Sequence, residues 1–244
     1  MKLLLVGALA LLPFLPSTVT VSAAPAGEEG FVSLFDGKSL DGWKIGQNPT
    51  TFSVQDGVIT MEYPKGAQGP AHLFYVGEVG GHAFKNFDLR VEVMTFPGAN
   101  SGIYFHTKYQ ESEWPRWGME CQVDNSHSDW RRTGSLYGLS NISWGPEAPG
   151  ADNKQKTKIL PKAPVVDNVW YTQEIICRNG FVTVKLDGVT MVEEQIPQPD
   201  SEHKLETGMT WMPSGTFALQ GHPPMRNKGS KACFRNIRVK ILPD

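Results

Sequence analysis

Wherever this sequence is regular, its apolar residues recur at every second position, and no long segment places them at helical spacing. Its 25 glycines and 18 prolines interrupt almost every window long enough for a helix. A period of two puts alternate side chains on opposite faces of a strand. The clearest case is 87–94, where Phe87, Leu89, Val91 and Val93 alternate with Asp88, Arg90, Glu92 and Met94. Segments 170–177 and 181–186 flank Asn179-Gly180, a strong signal for a two-residue hairpin. Further strands are expected at 31–35, 58–61 and 233–242, with Asp36-Gly37, Asp41-Gly42, Asp56-Gly57 and Asp187-Gly188 as turns. The expected fold is all-β, a single sandwich of two antiparallel sheets with negligible helix.

Three segments alternate in a way that points beyond the core. In 118–125, Met119, Cys121 and Val123 face one way, while Glu120, Gln122 and Asp124 face the other. In 102–106, Ile103 and Phe105 oppose Tyr104 and His106. In 217–222, Phe217 and Leu219 oppose Gln220 and His222. A sheet face carrying this many hydrogen-bonding groups is a natural floor for a sugar-binding cleft. Each residue also has a bland reading, as a solvated strand side chain, a loop cap at His222, or a structural partner of Arg235 or Lys185 at Glu120.

The chain opens with Lys2 and an apolar run from Leu3 to Leu15, ending at Val21-Ser22-Ala23. That pattern is expected to be a secretory signal over residues 1–23, cleaved after Ala23 to export one domain spanning 24–244. Pro13 and Pro16 break the run and leave it short for a membrane span. The formal net charge is −2 with no basic stripe, so nucleic acid is not an expected partner. Arg131-Arg132 reads as a solvated turn. The spacing of Cys121, Cys177 and Cys233 fits no zinc pattern, and each lies in phase with apolar neighbours. They read as buried thiols, with one disulfide as the alternative in an exported protein. His72, His82, His127 and His203 are placed in loops without partners.

Two connections are long. Residues 107–117 carry Tyr109, Trp114 and Trp117; residues 140–169 are polar and proline-rich. Long loops on a compact β-domain serve as functional rims or as ordinary packed segments. Trp114 and Trp117 are candidates for stacking on sugar rings.

Five ordered segments carry a resemblance: GFVSLFDGKSLDGWK at the start, then ANSGIYFHT, GMECQVDN, TGSLYG, and finally FALQGH followed by FRNIRVKIL. Together they span 30–242, and the chain resembles the 3-keto-disaccharide hydrolase family. The resemblance implies a concanavalin-like jelly-roll sandwich. It also implies action on an oligosaccharide or glycoside already oxidised to a ketone at sugar C3. Such substrates are cleaved by elimination, with hydration of the product in some members. The match raises Glu120, Gln122, Asp124, Gln220 and His222 as site residues and adds Tyr137 from TGSLYG. One departure is the stretch 223–231, longer than the family pattern, beside His222.

A direct glycosidase uses two carboxylates, about 5 Å apart for retention. Glu120 and Asp124 share a face but are four residues apart, roughly 13 Å along a strand. Elimination needs instead a base, an acid for the leaving oxygen and positive charge near the enolate. Glu120, Asp124, His106 and His222 are the candidate acids and bases. Arg235, in phase with Ile237 and Val239, is the candidate enolate stabiliser, unless a bulge turns it to solvent. Tyr104, Gln122 and Gln220 suit sugar hydroxyls. The cofactor is open: Glu, Asp and His also ligate divalent cations that would polarise the ketone. The stretch 124–129 is oxygen-rich yet lacks the Gly and terminal Glu of an EF-hand.

Overall fold

The computed structural model describes residues 29–63, 67–150, 152–224 and 229–244. The leader expected at 1–23 and the centre of the 223–231 stretch lie outside the described residues. In chain order the strands are β1 (Val32–Ser33), β2 (Trp43–Ile45), β3 (Phe52–Gln55), β4 (Val58–Glu62), β5 (Ala71–Tyr75), β6 (Phe87–Thr95), β7 (Ser101–Thr107) and β8 (Met119–Val123). They continue with β9 (Asn141–Ser143), β10 (Thr157–Ile159), β11 (Tyr171–Arg178), β12 (Phe181–Leu186), β13 (Val189–Gln195), β14 (His203–Lys204), β15 (Thr210–Trp211), β16 (Thr216–Gly221) and β17 (Lys231–Ile241). The only helical pieces among the described residues are two 3-10 turns, Pro49–Thr51 and Val79–His82. No helix there is long and apolar enough to cross a membrane.

Two sheets make the sandwich. The larger runs β13-β12-β11-β6-β17-β4-β3, with β1 added along β17; the smaller runs β2-β5-β16-β7-β8. The strand pairs within both are antiparallel. The Asn179-Gly180 turn joins β11 to β12 with φ of 49° and 72°, the left-handed pair that matches strand twist. The core lies between the sheets. Phe87, Leu89, Val91, Val93, Ile175, Val184, Phe234 and Val239 come from the larger sheet, and Leu73, Ile103, Phe105, Met119, Cys121, Val123, Phe217 and Leu219 from the smaller. The expected phase of β8 holds, with Met119, Cys121 and Val123 fully buried in this core. All three cysteines are buried and free.

Two bulges redirect residues that strict alternation assigned to the site. Along β7, Tyr104 pairs with Ala218 and Thr107 with Thr216, so three steps on β7 match two on β16. His106 takes up the extra residue at φ 51°. Its ring packs 4.6 Å from Trp211 and 5.7 Å from Phe87, with Nδ1 2.8 Å from Met212 O and Nε2 3.0 Å from Lys85 O. His106 is therefore a buried structural residue, and burial pushes its pKa down to about 4. Along β17 the register slips between Arg235 and Arg238, with Asn236 at φ 48°. Inward residues switch there from Phe234 to Ile237, and Arg235 points out. It stacks 4.1 Å over Trp170 and its Nε donates to Glu92 at 2.7 Å. Arg235 lies on the other sheet from the cleft and is no enolate stabiliser.

The far edge of β8 is also occupied. The backbone of 133–137 runs beside it: Gln122 N–H donates to Ser135 O, and the N–H groups of Thr133, Gly134 and Tyr137 donate to Asp124, Gln122 and Glu120 carbonyls.

Candidate active site

The outer face of the smaller sheet carries two rows of side chains set by strand register. One passes through Phe74, Ala218, Tyr104 and Glu120, each opposite the next. In the adjacent row, His72 lies opposite Gln220 and Gly102 opposite Gln122. Loops fold over this face and leave a cleft of about 270 Å³, lined by Tyr104, Glu120, Gln122 and Gln220 on the floor. Trp114, Tyr137, Asn100, Met209 and His222 form its walls. The polar face is thus polar because it meets a cleft, although its floor residues are buried: Glu120 is 6% exposed and Gln220 2%.

Glu120 is the centre of a hydrogen-bond network. Tyr104 Oη donates to its Oε2 at 2.8 Å and Gln220 Nε2 to its Oε1 at 2.7 Å. The Gln122 amide, turned with nitrogen toward its two acceptors, donates to Oε1 at 3.1 Å and to Ser101 O at 3.0 Å. Space for this carboxylate exists because residue 102 is glycine, where a methyl group would collide with Glu120 Oε1. Burial raises the Glu120 pKa to about 7, outweighing the donors from Tyr104 and Gln220 that favour the charged form.

His222 follows β16 and stands in the wall between Trp114, with ring centroids 5.2 Å apart, and His127, at 5.9 Å. Its Nδ1 is 2.8 Å from Pro223 O, an acceptor, so Nδ1 carries the proton in the neutral ring and Nε2 is left for a ligand. Burial lowers its pKa below the usual 6.5. His72, read in the sequence as a loop residue, instead sits in β5 on the cleft side of the sheet. Its ring is 5.3 Å from Tyr104 and 5.8 Å from Trp114, and burial drives its pKa to about 3. The clue was Ala71, Leu73 and Tyr75 alternating with His72 and Phe74, the same pattern that marked the other floor strands.

Asp124 departs from expectation. It lies one residue past the end of β8 and is fully buried, taking the Arg132 guanidinium at 3.0 Å and the His127 N–H at 2.8 Å. It does not line the cleft. Arg132 in turn is no solvated turn residue: it is 2% exposed and also donates to His127 O at 2.5 Å and Glu147 at 2.7 Å. Trp117 bridges to Thr210 and lies under Lys108, away from the cleft lining. Tyr137 stays at the rim, donating to Asp129 Oδ2 at 3.1 Å and accepting from Arg131 at 3.1 Å. Among the described residues lining the cleft, Glu120 is the one carboxylate. Among the described residues no three His, Cys, Asp or Glu side chains gather as a metal site would.

The model of the 3-keto-alpha-glucoside-1,2-lyase-like domain matches residues 30–240. The chain belongs to this family. A 3-keto-disaccharide hydrolase of Bacteroides thetaiotaomicron is 32% identical over 245 residues, covering 89% of this chain and 80% of that protein. Two crystal structures of provisionally assigned glycosyl hydrolases from Parabacteroides distasonis share the fold. One is 22% identical with a TM-score of 0.63, covering 89% of this chain and 96% of the other; the second is 20% identical at 0.59, covering 87% and 99%. The family member described here is a concanavalin-like jelly-roll sandwich, as its motifs implied, and a carbohydrate-active protein.

Proposed function

We propose that this protein cleaves 3-keto-glycosides by elimination, with Glu120 as the base at C2. One observation carries the reading. A single buried carboxylate, tuned to about 7, lies on the floor of a cleft in which no second carboxylate is found among the described lining residues. The usual direct displacement takes a carboxylate pair, about 5 Å apart for retention and up to roughly 9.5 Å for inversion. A base near neutrality is what proton abstraction beside a ketone requires.

Glu120 takes the C2 proton, made acidic by the C3 ketone, and the bonding pair delocalises as an enolate. Collapse of the enolate forms the C1–C2 double bond and expels the oxygen substituent from C1. That oxygen takes a proton from His222 Nε2. Glu120 is then neutral and His222 neutral. Hydration reverses the roles: water adds at C1 and gives a proton to His222, and C2 regains one from Glu120. The sum is hydrolysis, with both groups restored. Tyr104, Gln122 and Gln220 hold the Glu120 carboxylate in place, and nearby polar groups are left for the sugar hydroxyls.

The decisive experiment offers the protein a 3-keto-glucoside and its unoxidised parent in deuterated water. Turnover of the ketone alone, with deuterium at C2 of the product, is expected. Equal turnover of the parent with C2 hydrogen retained would overturn the proposal and favour a conventional hydrolase. Binding of both without turnover would favour a sugar-binding module. The elimination step needs Glu120 ionised and His222 protonated, so kcat/KM is expected to be bell-shaped, with limbs near 7 and below 6.5. We infer export as well, from the pattern of residues 1–23; recovery of a processed chain beginning near Ala24 outside the cytoplasm is the check, and an intact cytoplasmic chain contradicts it.

A further inference from the structure

Trp114 is the one aromatic side chain of the cleft wall left largely open: it is 40% exposed, against 3% for Tyr104 on the floor. It is nonetheless fixed. Its ring meets His72 edge-on at 74° and leans on His222 at 49°. Gln110 Nε2 donates to its carbonyl at 2.9 Å. The same loop presses so closely on Gly46, the residue after β2, that a methyl group there would stand 2.9 Å from Gln110 O. A rigid, exposed indole loses little freedom when a ring stacks on it.

The cleft below has a volume of about 270 Å³, under the roughly 300 Å³ at which sites begin to enclose drug-sized ligands. On the elimination reading that volume is taken up by the reacting sugar ring, and a second ring lies beyond it. His222 stands against the indole and lines the same cleft. We propose that Trp114 is the platform for the leaving group, stacking on a second sugar ring or an aryl ring joined to C1. This assignment rests on the elimination reading above, which puts the reacting ring over Glu120 and the departing oxygen beside His222. It makes the preferred substrates 3-keto-glycosides with a cyclic, flat-faced aglycone, disaccharides among them, over those with a short acyclic one.

The test compares 3-keto derivatives of methyl glucoside and of a glucosyl disaccharide, using the wild type, Trp114→Ala and Trp114→Phe. Taking the ratio of variant to wild type on each compound cancels the intrinsic difference between leaving groups. Trp114→Ala is expected to lower kcat/KM about tenfold more on the disaccharide than on the methyl glucoside, chiefly through KM, and Trp114→Phe to recover most of the loss. Equal losses on both compounds would overturn the platform and leave Trp114 as a prop for His72 and His222. Calorimetric titration of the unoxidised pair separates this from the reaction itself. If the wild type turns over neither ketone, the elimination reading fails. The platform still stands if the disaccharide binds more tightly than the methyl glucoside and Trp114→Ala removes that advantage. Equal Kd values in the wild type, or no binding of either, would overturn it.

Discussion

Glu120 combines three properties in one side chain: a strand position that fixes it, a glycine that makes room for it, and burial that holds its proton to about 7. Its folded pKa is raised from 4.5, so the fold favours the neutral acid. That stabilisation is complete below 4.5 and is lost as pH rises through 7. The displacement corresponds to about 3 kcal/mol. Glu120→Gln is therefore expected to abolish turnover while flattening the fall in stability between acid and mildly alkaline pH, read by chemical denaturation across a pH series. A fall in the variant as steep as in the wild type would show that Glu120 is not the group responsible. Glu120, Gln122, Tyr104 and Gln220 were legible in the sequence because alternation within a strand needs no tertiary knowledge. Asp124 was not, since β8 ends at Val123 and phase carries no meaning past a strand end. Arg132 was misread for a related reason: its partner Asp124 is buried by a turn the sequence does not announce.

At the scale of the element, one inserted residue decides which sheet face a side chain sees. His106 in β7 and Asn236 in β17 both adopt positive φ, and each flips the phase of the strand residues beyond it. Period counting cannot see this, although Asn is among the few non-glycine residues that enter that region readily. Gly102 works in the opposite sense, as an absence of side chain in a strand that otherwise packs tightly. Gly102→Ala is expected to push the Glu120 carboxylate aside and to cost about a hundredfold in kcat, with little change in secondary structure by circular dichroism. Arg235→Ala, on the far sheet, is expected to leave kcat/KM within about twofold, its cost confined to the surface pair with Glu92 and the stack on Trp170. A large loss of activity from the second variant would bring Arg235 back into the reaction.

Across the whole molecule, the site depends on one sheet and the stability on both. The antiparallel sandwich, its hairpins and its core phase could be read from turn dipeptides and alternation. The aromatic loop after β7 was legible as a possible rim, and Trp114 does line the cleft. The paths of 108–118 and 205–210 over it were not, because they are set by packing on the sheet. Val123→Ala, removing two methyl groups from the packed interface between the sheets, is expected to cost about 1–3 kcal/mol by denaturant titration. Because the three thiols are buried and free, reducing agent is expected to leave the melting temperature unchanged. A drop would reveal a cross-link. The backbone of 133–137 lying along β8 has its own consequence. An open sheet edge is a template for joining another chain, and here the edge bearing Glu120 is already taken from within. The strand that carries Glu120 is thereby shielded on that side from strand-by-strand joining by another chain, and the polar cleft opens on the face of the sheet rather than at its edge.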